Sequence, residues 1–154
     1  MKKSIGILVF LLSTVVLMSS CKKDVKYLPG TWKVTTATIN GDSEDDLDDV
    51  WTFTDGGTCV VNCDLDEYFD NIPNNYDVIT FNGTYVTNGN KTLTITSNKF
   101  NDAFGYYEQI IYDLDILALN KKTMMVSGSI KYIRNMENVA DTRVSDISLT
   151  LSKR

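Results

Sequence analysis

Alternation of apolar and polar residues dominates the chain after residue 28 and predicts β-strands. The clearest case is Thr92-Leu93-Thr94-Ile95-Thr96, where Leu93 and Ile95 share one face and the three threonines share the other. The same criteria give eight candidate strands with no helix-length segment between them: 32–39, 50–54, 58–63, 77–87, 91–97, 108–119, 123–133 and 144–152. The chain is therefore expected to be all-β.

Short turns rich in Gly and Asn separate several of these strands. Asp55-Gly56-Gly57, Asn88-Gly89-Asn90 and Asn120-Lys121-Lys122 accept the positive φ of tight hairpins, so the strands they join are expected to be antiparallel neighbours. Asn82-Gly83, inside the fourth candidate strand, predicts a bulge or corner, or else a hairpin that splits the strand. Eight sequential strands fit a closed antiparallel up-and-down barrel, with a two-sheet β-sandwich as the alternative.

The N-terminus has the layout of a secretory signal. Met1-Lys2-Lys3 precedes a predominantly apolar stretch, residues 5–18, and the small pair Ser19-Ser20 comes before Cys21. The charged residues Lys22-Lys23-Asp24 follow at once, and a permanent transmembrane helix needs ~20 predominantly apolar residues. Residues 1–20 are therefore predicted to be a cleaved signal peptide, not a permanent transmembrane anchor.

The end of this signal carries a more specific resemblance. Leu17-Met18-Ser19-Ser20-Cys21 resembles the lipobox of bacterial lipoproteins, although Met18 replaces the usual Leu. The resemblance implies that Cys21 carries fatty acyl chains such as palmitate, that residues 21–27 form a lipidated tether, and that the membrane is a partner. Cys-Lys-Lys-Asp looks like the mature start of Bacteroidota lipoproteins, which implies the cell envelope and its outer membrane, facing either the periplasm or the outside. An ordinary signal with a chance cysteine is the alternative.

Composition limits the function of the mature chain. Removing 20 of 154 residues leaves 134, enough for one domain, and removes Lys2 and Lys3 but no acid, so 13 basic residues face 20 acidic ones. A net charge of −7 disfavours nucleic acid as a partner. The chain has no histidine, no Gly-x-Ser-x-Gly elbow and no phosphate or dinucleotide loop. A non-enzymatic protein without a cofactor is therefore expected.

Three segments of the mature chain resemble lipocalin-like domains. They are Leu28-Pro29-Gly30-Thr31-Trp32-Lys33-Val34, the strand-turn-strand segment 51–58, and the hairpin that begins at Asn82-Gly83-Thr84-Tyr85-Val86. Residues 28–154 are similar throughout to the lipocalin-like lipoproteins of Bacteroidota, which implies an eight-stranded barrel with Trp32 packed across one end. The pattern does not place the basic residue that such domains set against the tryptophan, although Lys153 and Arg154 follow the last strand.

Alternation also predicts which side chains point into a barrel. The inward set has 15 members: Trp32, Val34, Phe53, Ile79, Phe81, Leu93, Ile95, Tyr112, Leu114, Ile116, Met124, Val126, Ile147, Leu149 and Leu151. Among them Trp32, Phe53, Phe81, Tyr112 and Met124 are the candidate lining of a site for a small apolar or amphipathic ligand. The alternative is a filled core that serves as an envelope interaction module, presenting its acidic loop and the loop of residues 64–76.

Acidic and cysteine residues give weaker candidates. The acids between residues 42 and 49 lack the spacing of a calcium loop, so no metal site is expected and a solvated loop is the default. Asp64, Asp66 and Glu67 follow the third strand and are a third-ranked basis for glycoside chemistry. Cys59 and Cys63, in an exported chain, either form a disulfide or remain free; in a straight strand they would be ~13 Å apart, so a bridge requires a bend.

Overall fold

A computed structural model of this 154-residue chain describes residues 24–44, 47–69, 78–101, 106–136 and 139–154. Nine strands lie in these ranges: β1 Gly30–Ile39, β2 Asp42–Glu44, β3 Val50–Phe53, β4 Thr58–Cys63, β5 Ile79–Asn88, β6 Thr92–Asn101, β7 Tyr106–Leu119, β8 Thr123–Met136 and β9 Val139–Lys153. A 3₁₀ turn, Val25–Tyr27, precedes β1, and a one-turn helix, α1 (Leu65–Tyr68), follows β4. All eight predicted strands are present.

The sheet closes on itself into a barrel. Each strand from β3 to β9 pairs antiparallel with the next, β1 pairs with β3, and β9 returns to pair with β1. The closing pair runs from Trp32 opposite Lys153 to Ile39 opposite Ile147, with one register shift between Val34 and Thr36. Eight antiparallel strands in up-and-down order confirm the predicted barrel, and the alternative of a β-sandwich is wrong.

β2 is the element that the alternation did not predict. It pairs with the end of β1 through the turn at Asn40-Gly41, whose φ angles of 51° and 96° are those of a tight hairpin turn. Strand propensity misses β2 because its residues, Asp42-Ser43-Glu44, are poor strand formers. The hairpin places Asp42 and Glu44 at one rim of the barrel. This rim, formed by the end of β1, the end of β4, α1 and the start of β9, is called the mouth below.

Gly83 does not form the predicted bulge. β5 pairs with β4 and with β6 through this residue without a register shift. A Cβ atom at position 83 would lie 2.1 Å from the carbonyl oxygen of Thr96, so the glycine lets the backbone of β6 approach closely. The hairpin alternative is also wrong, because the strand continues to Asn88.

The last strand begins earlier than expected. β9 starts at Val139, five residues before the predicted start at Val144. The segment Asp141-Thr142-Arg143 lacks apolar alternation, because Asp141 and Arg143 occupy the inward positions there and form a salt bridge at 3.2 Å. Because these inward residues are polar, a search for alternating hydrophobicity does not detect this part of the strand.

The opposite end of the barrel from the mouth, called the closed end below, is sealed by the segment before β1. The indole N–H of Trp32 donates to the carbonyl oxygen of Leu28 at 2.7 Å. The ammonium group of Lys153 lies 5.1 Å from the centre of the Trp32 ring and donates to the carbonyl oxygens of Tyr27 and Pro29 at 2.8 and 2.5 Å. Gly30 leaves the room for this lysine, since a Cβ there would lie 2.6 Å from its Cε.

Candidate functional site

The predicted ligand-lining residues lie inside the barrel, where they pack against one another. Trp32, Phe81, Tyr112 and Met124 have no exposed surface, and Phe53 is 2% exposed. A void large enough to hold water would leave accessible surface on its walls. None of the five lines the cavity at the mouth or either of two cavities on the outer wall. As far as the structure describes it, the interior is therefore a filled core.

The other ten residues of the predicted inward set are buried as well. Sequence reasoning missed other core residues, among them Ile110, Tyr132 and Trp51. Trp51 is fully buried and packs 4.9 Å from the Tyr112 ring and 6.3 Å from the Phe53 ring. Trp51 precedes Phe53 by two positions in β3, so the alternation itself places both on the same face. These aromatic contacts account for the absence of free volume in the middle of the barrel.

A cavity of about 440 Å³ opens at the mouth. It lies between the β1–β2 hairpin, α1 and the first half of β9, and it joins the two loops that the sequence suggested as an interaction surface. Two of these walls carry carboxylates, the β1–β2 hairpin with Asp42 and Glu44 and α1 with Glu67. Its lining consists of Ile39, Asn40, Asp42, Glu44, Glu67, Tyr68, Phe69, Arg143, Val144 and Ser145.

Hydrogen bonds to the residue before β3 and to β9 hold α1 at this mouth. Asp64 caps the helix by accepting the Asp66 N–H at 3.0 Å. The buried carboxylate of Asp49, which directly precedes β3, accepts the Asp64 N–H at 3.2 Å and the Tyr68 hydroxyl at 2.5 Å. From β9, the Ser145 hydroxyl donates to the Tyr68 carbonyl at 2.6 Å. The segment that the sequence suggested as a loop of acids is thus a helix with its capping residue.

Asp49 is separate from the solvated acidic run to which the sequence assigned it. Its side chain has no exposed surface. Burial raises the pKa of Asp49 to about 7, and the hydrogen bonds from Tyr68 and Asp64 only partly oppose this effect. Burial and the nearby Asp49 carboxyl also raise the pKa of the Tyr68 hydroxyl. This carboxyl therefore keeps its proton to a higher pH than an exposed aspartate does.

The charge of the mouth cavity is negative. Asp42, Glu44 and Glu67 line it, and Arg143, the one cationic side chain among its described lining residues, is paired with Asp141. No group of three or more acidic, Cys or His side chains in the described residues has the geometry of a metal site. A positively charged or hydrogen-bonding group therefore suits this cavity better than an apolar one.

A buried ion pair lies on the neighbouring strands. An oxygen of Glu108 on β7 is 3.3 Å from the guanidinium of Arg134 on β8 and also accepts the hydroxyl proton of Tyr132. Phe69 packs over the Tyr132 ring at 6.0 Å, which connects this pair to the mouth. Sequence reasoning missed Glu108, although it lies two positions before Ile110 in β7 and its side chain therefore points to the same, inward face. Burial raises the pKa of Tyr132, and Glu108 adds to the effect.

Both predicted disulfide candidates are free thiols. Cys59 and Cys63 are buried on β4, which pairs with β3 and β5 without a register shift, so the bend that a bridge requires is not there. Burial raises the pKa of both thiols, and for Cys63 the neighbouring Asp49 carboxyl raises it further. Neither thiol is activated as a nucleophile or redox group.

The predicted signal peptide, residues 1–20, and the predicted lipid attachment residue Cys21 lie outside the described residues. Among the residues that the structure describes, no helix has both the length and the apolar character to cross a bilayer. The chain matches no protein-family model, no curated protein and no solved structure in the comparisons with known proteins.

Proposed function

We propose that this chain is a lipoprotein, anchored in the cell envelope through acylated Cys21, whose barrel is a non-catalytic module that binds a basic segment of another envelope component at its mouth. The observation that carries the proposal is the cavity of about 440 Å³ with three carboxylates in its lining, in a barrel whose described interior is filled. A ligand inside the barrel is not part of this proposal, because Trp32, Phe53, Phe81, Tyr112 and Met124 leave no room for one.

The anchor is supported by the lipobox-like sequence before Cys21. Replacing Cys21→Ser removes the thiol that takes the acyl chains, so the protein should move from the membrane fraction to the soluble fraction. The mature wild-type mass should also exceed the peptide mass by that of its acyl chains. A wild-type protein that lacks this additional mass would refute the anchor.

The contact of the Lys153 ammonium group with the Trp32 ring supports the proposed lipocalin-like family assignment.

The mouth can be tested with a photo-crosslinking amino acid at two exposed valines. Val144 lines the mouth cavity and is 60% exposed, whereas Val86 is 69% exposed and lies on β5 near the closed end. Irradiation of intact cells should give a protein adduct from position 144 and none from position 86. Equal adducts at both sites would mean that the mouth is not a specific interface.

Charge variants then test whether the carboxylates of the mouth cavity are responsible for the binding. The pair Asp42→Asn and Glu44→Gln neutralises two acids of the cavity, and the adduct from position 144 should weaken at least about tenfold because cationic groups lose their counter-charges. Asp113→Asn with Asp115→Asn makes the same charge change on the outer wall, on β7, and serves as the matched control. An adduct that survives the first pair, or that falls equally with both pairs, would refute binding through the acidic mouth.

A further inference from the structure

Basic side chains collect at the closed end of the barrel. Lys91 lies in the β5–β6 turn, Lys121 and Lys122 lie in the β7–β8 turn, and Arg154 follows β9. All four are exposed, and none forms a salt bridge within the described part of the chain. Antiparallel connections bring these positions to the same rim although up to 63 residues separate them along the chain.

Main-chain hydrogen bonds join these turns into one surface. The carbonyl oxygen of Lys91 accepts the N–H of Ile116 near the end of β7 at 2.7 Å, and that of Lys122 accepts the N–H of Lys153 at 2.9 Å. The N–H of Arg154 donates to a carbonyl oxygen of β1 at 2.9 Å. The cations therefore have fixed backbone positions on a single rim.

Few acids offset these cations. Asp24 is paired with Lys26 at 2.6 Å, and Asp48 is paired with Lys33 at 2.7 Å and also interacts with Arg154. Asp55 and Asp115 are the other acids at this end in the described residues. The mouth carries the opposite charge. Its cations in the described residues are Arg143, which pairs with Asp141, Arg134, which pairs with Glu108, and Lys99. More acids lie on or near its rim: Asp42, Glu44, Asp64, Asp66, Glu67 and Asp141. The molecule is thus electrostatically polar along the barrel axis.

The tether leaves from the basic end. The N–H of Val25 donates to the Asn90 side chain at 3.2 Å, which fixes the start of the described chain beside the β5–β6 turn. Asp24 is three residues from Cys21, a span of at most about 11 Å. Since the Debye length is about 10 Å at 0.1 M salt, the cations of this rim fall within reach of a membrane surface charge.

The acidic mouth lies beyond that reach. β8 contains 14 residues and runs from the closed end to the mouth. At about 3.3 Å per residue and with the tilt of strands in a barrel, the mouth lies about 30 Å from the closed end along the barrel axis. An anionic membrane surface at the closed end would therefore attract the cations there, whereas the acids of the mouth are too distant to be repelled by it.

We infer that the closed end is a docking face for anionic lipid headgroups, formed by Lys91, Lys121, Lys122 and Arg154, and that it holds the barrel upright with the acidic mouth directed away from the membrane. The inference rests on the proposed anchor at Cys21. Its recognition chemistry is the attraction of lysine and arginine side chains to lipid phosphates.

Lysine footprinting on the acylated full-length product tests this orientation. The protein is reconstituted in vesicles of phosphatidylcholine alone and in vesicles that also contain about 30% phosphatidylglycerol, and exposed amines are acetylated with a water-soluble reagent. Acetylation of Lys91, Lys121 and Lys122 should be at least about threefold slower on the anionic vesicles. Lys131 on the wall of β8 and Lys99 near the end of β6 are internal controls that should not change.

A charge-reversal variant removes the attraction. In Lys121→Glu with Lys122→Glu, the remaining lysine of the face, Lys91, should lose most of its extra protection on anionic vesicles, whereas Lys131→Glu should leave that protection intact. Equal acetylation on both vesicles, or protection of Lys99 in place of Lys91, would overturn the orientation. A mature mass without acyl chains would instead refute the anchor, and with it the inference.

Discussion

Replacing Asp49 by asparagine should remove a pH dependence from the stability of the barrel. The carboxyl is fully buried, and its pKa is raised from 3.8 to about 7, chiefly by burial. Between these two values the folded protein binds a proton that the unfolded chain does not, so stability falls as pH rises. This contribution is fully present below pH 4 and is lost as pH rises through 7.

The size of the effect follows from the shift. One pKa unit corresponds to about 1.4 kcal/mol, so the free energy of unfolding should fall by about 2–3 kcal/mol between pH 5 and pH 8 on account of Asp49 alone. Asparagine keeps an oxygen for the Asp64 N–H and an amide group that can donate to the Tyr68 hydroxyl oxygen. The variant should therefore fold while losing the titration.

Urea denaturation measures this difference, with the fluorescence of Trp32 and Trp51 as the signal because both indoles are fully buried. Between pH 5 and pH 8, the free energy of unfolding should fall by more in the wild type than in the Asp49→Asn variant. Asp48→Asn is the control, because Asp48 is an exposed neighbour whose pKa is lowered by its salt bridge to Lys33. Parallel pH profiles for the wild type and Asp49→Asn would refute the reasoning.

Two further predictions concern packing and thiol chemistry. Gly83→Ala should lower the free energy of unfolding by about 3 kcal/mol, because the added Cβ would collide with the Thr96 carbonyl oxygen. The control is Gly56→Ala, where the nearest atom is 3.8 Å away and the change should be less than about 0.5 kcal/mol. Equal losses for both variants in chemical denaturation would contradict this account. Cys59 and Cys63 should react with an aromatic disulfide reagent only as fast as the protein unfolds, because both are buried free thiols. Rapid labelling of the native protein, or the mass loss of a disulfide, would disagree with the structure.

Local patterns determined the strands. The alternation at Thr92–Thr96 and the Gly and Asn turns predicted eight strands in antiparallel order, because side chains alternate faces with period two and tight turns need residues that accept positive φ. The same periodicity placed all 15 of the predicted inward residues correctly in the core. It also places Trp51 inward, which the predicted set omitted. It does not detect polar inward residues such as Glu108 and Arg143, because hydrophobicity marks only apolar inward residues.

The tertiary structure decided the candidate site. The mouth cavity combines a hairpin of poor strand formers, a one-turn helix held by Asp49 and Ser145, and the early part of β9. These segments are up to 106 residues apart in the chain, and no local spacing signals that they meet. The raised pKa of Asp49 also depends on burial by distant residues, so the acidic run offered no sign of it.

The sequence by itself determined that the chain forms antiparallel strands and which apolar residues face inward. Only the tertiary structure decided that β9 closes on β1, that aromatic side chains fill the described interior, and that one end has an excess of basic residues and the other an excess of acidic residues. The physical reason is the range of each effect. Strand formation depends on neighbours along the chain, whereas closure, free volume and electrostatic polarity depend on the summed geometry of all eight barrel strands.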